Sequence, residues 1–270
     1  MAVKELKSDS ESRRMRDWLS PPDPSINHNK ALEQRHPGTG RWFLDSHTFT
    51  DFKRGQVRSL WLHGIPGCGK TVLTSSVIED FQGGPSVISP KLLYFYFDFN
   101  DVGKQTLESA LRSLIWQQTS FSDDLPDELR QFYERCEKGR ESLSARSLSE
   151  TCKKMLHASG RVVIILDALD ECKGRNRTCL LAWLTELISS APQNTQVILT
   201  SRYEHDIMTA LEASMPDNAK IPLRQVEIDT DIRKYIRERL HRGPELARWH
   251  LKPEVQEEIE VELMKKANGM

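Results

Sequence analysis

The sequence predicts an α/β fold in which a mainly parallel five-stranded sheet lies between two layers of helices, with a helical extension at the C-terminal end. Three observations carry this. Short apolar runs rich in β-branched and aromatic residues alternate with segments whose apolar residues recur at helical spacing, the pattern of parallel β-α-β units. A glycine-rich string, Gly64-Ile-Pro-Gly-Cys-Gly-Lys-Thr71, joins the first such run to a helical pattern. The run 162–166 is continuously apolar, as a strand covered on both faces must be, and delivers acids at its C-terminal end. Right-handed crossovers bring the C-terminal ends of parallel strands to one edge, so string and acids are expected to meet there.

Residues 1–17 are charged and weakly patterned, read as a frayed helix or tail. Trp18-Leu-Ser-Pro-Pro-Asp-Pro24 is expected to be non-helical, because each proline fixes φ and restricts the residue before it. A polar segment, 27–42, ends in His36-Pro-Gly-Thr-Gly-Arg-Trp42. Trp42, Phe43, Leu44, Phe49 and Phe52 then suggest a short helix packed on the core, so that 18–57 form a proline-rich linker and lead-in. The core spans 58–228. Its strands are expected at 60–63, 92–99, 162–166, 196–200 and 221–228, and its helices at 72–81, 106–118, 147–157, 178–188 and 206–215. The mixed-charge stretch 123–141 reads as a solvated helical face despite Phe132 and Tyr133. Residues 229–270 form a helical segment, with helices at 231–240 and 253–266 and a linker bracketed by Pro244 and Pro253.

With 38 Lys and Arg against 39 Asp and Glu, the net charge is −1, which gives no electrostatic reason to expect a nucleic-acid or membrane partner. Five cysteines without C-x-x-C spacing and no secretory leader read as reduced thiols in a cytosolic or nuclear compartment, and the chain is expected to be soluble and cytoplasmic. The eight histidines lack zinc-ligand spacing.

The glycine-rich string fills the pattern G-x-x-x-x-G-K-[ST], and its flanks are those the pattern needs: a short apolar run before, a helical pattern after. Glycines let the backbone N–H groups turn inward toward phosphate oxygens at the positive end of a helix dipole. Gly64, Ile65, Pro66, Gly67, Cys68, Gly69, Lys70, Thr71 and Val72 are therefore the candidate nucleotide-binding residues. Lys70 is placed to reach the outer phosphates, and Thr71 to ligate Mg2+ together with Asp167 at the end of the acid run. The alternative is a tight strand-to-helix turn that happens to be glycine-rich. Asp167, Asp170 and Glu171, if close together, would repel one another, a penalty that a bound cation would remove. Asp170 or Glu171, with Glu171 preferred, is the candidate to orient or deprotonate an attacking water. Arg202, in Leu199-Thr-Ser-Arg202, can stabilise charge on the same edge or merely pair with Glu204. Cys68 is either a small residue tolerated among glycines or a thiol activated by Lys70. His63 is expected to pack at the strand end.

Together these strings resemble the NACHT class of signal-transduction NTPases, the nucleotide switches of NOD-like receptors, and most closely the nephrocystin-type domains of large fungal proteins. The residues that carry the resemblance are Trp18–Pro24, His36–Trp42, Gly64–Thr71, Leu166-Asp-Ala-Leu-Asp-Glu171 and Leu199–Arg202. The resemblance implies a core in which the phosphate-loop strand and the acid strand are not neighbours. It also implies ATP or ADP as ligand, action through nucleotide-dependent conformation and assembly, and an adenine- and ribose-contacting segment around Gly38-Thr39-Gly40, hence Thr39 as a binding residue. Two departures matter. Ala168 follows Asp167 where many related fast ATPases carry glutamate, so hydrolysis is expected to be slow. The sequence also stops at Asn268-Gly269-Met270, before the family's winged helix and repeats, and is read as a fragment or truncated product whose self-association or protein partners would use those regions.

Competing classes are weaker. A GTPase needs an N-K-x-D base reader after the acid strand, yet the only Asn-Lys pair, Asn29-Lys30, precedes the phosphate loop. A kinase lid of arginines is not visible. A nucleic-acid-dependent ATPase would show a basic, aromatic-interleaved stripe. A non-hydrolysing scaffold remains open.

Overall fold

Five parallel strands form one sheet: β1 (Ser59–His63), β2 (Lys91–Tyr96), β3 (Val162–Asp167), β4 (Thr195–Ser201) and β5 (Lys220–Pro222), in the order β2-β3-β4-β1-β5. The chain is described from a computed structural model that covers residues 2–83, 90–121, 124–136, 138, 142–223, 225–242 and 252–267. Strand β4 lies between β1 and β3, pairing Leu62 with Thr200 on one side and Leu199 with Leu166 on the other. The phosphate-loop strand and the acid strand are thus separated by one strand. Every residue of β3 and β4 is buried, so neither shows alternation; helices cover both faces. This is an α/β P-loop fold.

The chain opens with helix α1 (Ala2–Leu19), which corrects the expectation that Trp18 and Leu19 are non-helical. Proline restricts only its immediate predecessor, and Ser20, at φ 45°, absorbs that restriction. Met15 and Leu19 are buried, and Trp18 packs edge-on to Phe132 and Tyr133. Helix α2 (Ser25–Gln34) occupies part of the segment read as merely polar; its buried face holds only His28 and Ala31, too thin an apolar stripe to register in the sequence. Two short helices, α3 (Arg41–Leu44) and α4 (His47–Lys53), follow; Ser46 caps the second by accepting from Phe49 N. Phe43, Phe49 and Phe52 close with Phe81 into an aromatic cluster that docks the lead-in on the core.

Helix α5 (Lys70–Gly83) follows the glycine-rich loop. Next come α6 (Leu107–Gln118), capped by Thr106, and α7 (Asp127–Arg135). The solvated reading of α7 is corrected: Leu129 and Phe132 are buried, while the charges take the opposite face. Helices α8 (Ala145–Ala158), with a Ser144/Ser147 capping box, α9 (Gly174–Ser190) and α10 (His205–Glu212) complete the core.

The last strand is shorter than expected. It ends at Pro222, and helix α11 (Gln225–Arg242) begins where a strand to residue 228 was anticipated. Ile221, Leu223, Val226 and Ile228 invited the strand reading, but Ile228, Ile232, Ile236 and Leu240 recur at four-residue spacing, and that register wins. Helix α12 (Pro253–Ala267) packs against α11 through Arg237 and Glu260, 2.8 Å apart. The anticipated linker after Pro244 and the terminal Asn268-Gly269-Met270 lie outside the described residues, as does part of 123–141. Among the described residues no helix is long and apolar enough to cross a membrane.

Candidate functional site

The glycine-rich loop leaves β1 and turns into α5 through Gly67 and Gly69, at φ 76° and 83°, a conformation that side-chain-bearing residues resist. Gly64 is needed for a different reason: a methyl group there would lie 2.8 Å from Cys68 Sγ. Gly64 N donates to Ser201 O at 3.3 Å, tying the loop to the end of β4. Lys70 Nζ donates to the carbonyls of Gly64 (3.0 Å) and Ile65 (2.8 Å), and the buried Cys68 Sγ lies 3.6 Å away. His63 packs at a tilt against Trp61 and Tyr203, with centroids 4.5 and 5.1 Å away; burial, and then Lys70, hold its imidazole below the ordinary histidine range.

Asp167 sits at the centre. Its Oδ2 accepts from Thr71 Oγ1 at 2.7 Å, and its Oδ1 from Thr74 Oγ1 at 2.7 Å and Thr200 Oγ1 at 2.6 Å. At 1% exposure, burial pushes this carboxyl above the usual range, against the lowering pull of the three hydroxyls and Lys70. Thr74 and Thr200 were not anticipated. Thr74 lies three residues beyond Thr71, on the same helical face, and Thr200 belongs to the string quoted for Arg202, so a signal existed for both.

The three acids bond to different partners, but Asp167 and Asp170 stay near enough to Glu171 to repel its charge, in line with the expected mutual repulsion. Ala168, at φ 59°, turns the chain sharply out of β3, with its N–H bonded to Thr200 Oγ1 at 2.9 Å. That left-handed conformation costs a non-glycine residue about 1 kcal/mol. Beyond the turn, Asp170 is buried and accepts from Arg202 twice, Oδ1 from the backbone N–H at 2.9 Å and Oδ2 from Nε at 3.0 Å. Arg202 therefore pairs with Asp170, not with Glu204, which pairs with Arg177 instead. Arg177 also donates to the carbonyls of Asp170 and Cys172 and contacts Asp206, a bracing role that its position on a charged helix start did not advertise. Glu171 is half-exposed, and its Oε2 accepts from Phe99 N at 2.8 Å. Burial first, then the neighbouring carboxylates of Asp170, Asp98 and Asp167, push it above the usual range, against the Phe99 hydrogen bond.

A cavity of about 260 Å³ opens on the other side of the loop. It is walled by Thr39 and Trp42 of the lead-in, Gly67–Gly69 of the loop, Val72 and Leu73 of α5, and Ile232 and Tyr235 of α11. Thr39 Oγ1 donates to His36 O at 2.8 Å, so its hydroxyl serves the turn itself. Gly40, at φ 75°, would clash with Leu73 if it carried a methyl group, and its N–H donates to Asp231 Oδ2 at 2.7 Å. His36 Nε2 lies 3.3 Å from Glu238 Oε2 and packs edge-on to Tyr235. Helix α11 thus closes over the turn. Trp42, Asp231, Ile232 and Tyr235 were missed because in sequence they read only as parts of amphipathic helices.

Residues 38–202, from this turn to Arg202, match the family model described as Nephrocystin 3, N-terminal. The chain belongs to the nephrocystin 3 N-terminal family. The match takes in the phosphate loop, the acid strand and the Thr-Ser-Arg string; α1, α2, α10, β5, α11 and α12 lie outside it. This nephrocystin-type chain is also 28% identical over 211 residues to the vegetative incompatibility protein HET-E-1 of Podospora anserina, a match covering 74% of this chain and 15% of that protein. It is a NACHT-type domain. Among solved structures, the Orc1 protein of Aeropyrum pernix, determined in complex with DNA, is similar at 15% identity and TM-score 0.40, over 70% of this chain and 50% of that one. The Walker-type ATPase PABY2304 of Pyrococcus abyssi is similar at 14% identity and TM-score 0.41, over 72% and 57%. Those scores add nothing to what the strand order of the nephrocystin-type sheet already establishes.

Proposed function

We propose that this nephrocystin-type domain binds ATP or ADP with Mg2+, hydrolyses ATP slowly, and works as a nucleotide-dependent conformational and oligomerisation switch in the cytoplasm. The observation that carries the reading is the direct bond between Thr71 and Asp167, at the mouth of a loop in which Gly67 and Gly69 adopt left-handed φ. Two hard oxygen donors beside an ammonium suit a Mg2+–polyphosphate pair, so the residues fit the group. Bound there, Mg2+ would neutralise charge on the phosphate oxygens. The backbone N–H groups of 67–72 would grip those oxygens, and Lys70 would exchange its bonds to Gly64 O and Ile65 O for phosphate. The cavity between Thr39, Trp42 and Tyr235 supplies aromatic and aliphatic walls for a base. A ligand seated there would touch both the loop and α11, so occupancy would fix α11 against the core.

Slow turnover is supported by the acids beyond Ala168. Asp170 is committed to Arg202, and Glu171 is the remaining group to orient a water, itself tethered to Phe99 N. Those tethers also favour a second reading, a nucleotide-binding scaffold that does not hydrolyse. Chromatography of nucleotide released by denaturing the freshly purified protein tests the first claim: adenine nucleotide is expected, and guanine nucleotide would overturn it. ATP turnover that falls with Glu171→Gln while binding persists separates the switch from the scaffold; no magnesium-dependent turnover in either protein selects the scaffold.

A further inference from the structure

Behind the phosphate loop a buried polar chain runs from α2 to α5. His28 Nδ1 lies 3.2 Å from Tyr96 Oη, which lies 2.9 Å from Ser75 Oγ, and Ser75 Oγ donates to the Thr71 carbonyl at 3.1 Å. On the other side of the imidazole, Nε2 faces Glu79 Oε1 at 3.5 Å. His28, Tyr96 and Ser75 are all buried, and the site described above uses none of their side chains.

The imidazole sets the direction of donation along this chain. A neutral ring keeps its proton on Nε2, because the other tautomer would aim a lone pair at the Glu79 carboxylate. Nδ1 then accepts from the Tyr96 hydroxyl, the Tyr96 oxygen accepts from Ser75, and the Thr71 carbonyl receives at most a shared proton. A protonated ring donates from Nδ1. Tyr96 then turns its proton to Ser75, and the Ser75 hydroxyl is released to the Thr71 carbonyl. We propose that His28, Tyr96 and Ser75 form a reversible relay that positions the first turn of α5 and passes the protonation of His28 to the phosphate loop. The Thr71 carbonyl shares a peptide unit with the Val72 N–H, so a hydrogen bond gained at one polarises the other toward phosphate.

The relay rests on the nucleotide-binding reading above. The groups facing His28 are Glu79 of α5 and Tyr94 and Tyr96 of β2, with Arg35 acting from just past the end of α2. Burial holds the ring below the ordinary histidine range and Arg35 adds to this, while Glu79 pulls the other way. Nucleotide affinity is therefore expected to rise as pH falls below that range.

Long-range ¹⁵N–¹H NMR of wild type against His28→Gln identifies this ring, and the relay predicts the Nε2–H tautomer at neutral pH. Magnesium-ADP affinity is then measured from about pH 8 to about pH 5.5, on both sides of the ordinary histidine value, in wild type, Ser75→Ala and Tyr96→Phe. The nucleotide's own titration is common to all three and cancels in the comparison. Wild type should gain about threefold more affinity toward acid pH than either variant, the worth of one neutral hydrogen bond. Ser75→Ala fits its helix without added bulk, so it carries the test should Tyr96→Phe unfold. An Nδ1–H tautomer at neutral pH, or three parallel profiles in protein that binds nucleotide, would overturn the relay alone. A wild-type chain that bound no nucleotide at any pH would overturn the phosphate-loop reading as well.

Discussion

A carboxyl with 1% exposure, held by three hydroxyls, is an unusual anchor, and Asp167 gives the sharpest residue-scale prediction. Because burial raises its folded-state pKa above the unfolded value, ionising it costs more in the folded chain than in the unfolded one. The ligand-free protein therefore loses stability as pH rises from about 4, the ordinary carboxylate value, through the raised one. Asp167→Asn removes that titration, and its amide can still accept from Thr74 and Thr200 and donate to Thr71. Melting curves without ligand should show this variant gaining on wild type between pH 4 and pH 8, while magnesium no longer strengthens its nucleotide binding. A second residue prediction concerns the buried Asp170. Arg202→Ala removes the half-exposed guanidinium but keeps the backbone N–H bond to that carboxylate, and should cost about 1 kcal/mol in denaturant unfolding. At this scale the sequence was informative about identity but not about pairing. The pattern marks Lys70, Thr71 and Asp167 as a set, but that Arg202 turns to Asp170 rather than Glu204 depends on the left-handed Ala168, which no motif encodes.

Among elements, those with a strong single signal were legible: β1, β3, β4 and α5 stand within one or two residues of their anticipated bounds. Helix α2 escaped because its inward face is one histidine and one alanine, and β5 was overextended because two periodicities overlap at Val226 and Ile228. The contact between α11 and the Gly38–Gly40 turn was invisible for a further reason. It joins residues almost two hundred positions apart through one carboxylate and two backbone conformations. That contact makes a prediction at its own scale. Asp231→Ala leaves the Gly40 N–H unpaired and loosens α11 from the core. Hydrogen exchange in the first turns of α11 should quicken, and nucleotide affinity should fall about tenfold, the worth of one charge-assisted bond. Unchanged protection in α11 would show that the helix is held by its apolar face alone.

At the scale of the whole molecule, the sheet order places a phosphate-loop strand and an acid strand one strand apart, with the lead-in and α11 closing a cavity beside the loop. The alternation of strands and helices made the fold class readable. The cavity beside the loop was not readable, because its walls come from the lead-in, the loop with the start of α5, and α11, which are far apart in sequence. The chain spans 15% of the length of the curated relative it matches, so the switch proposed here concerns this domain's own nucleotide cycle. The most direct measurement is calorimetric titration of wild type and Lys70→Ala with ATP, in magnesium and in chelator. Wild type should bind saturably and more tightly with magnesium, and Lys70→Ala should bind at least about a hundredfold more weakly, as loss of a charged phosphate contact requires. Equal binding by the two proteins, or binding indifferent to magnesium, would contradict the account.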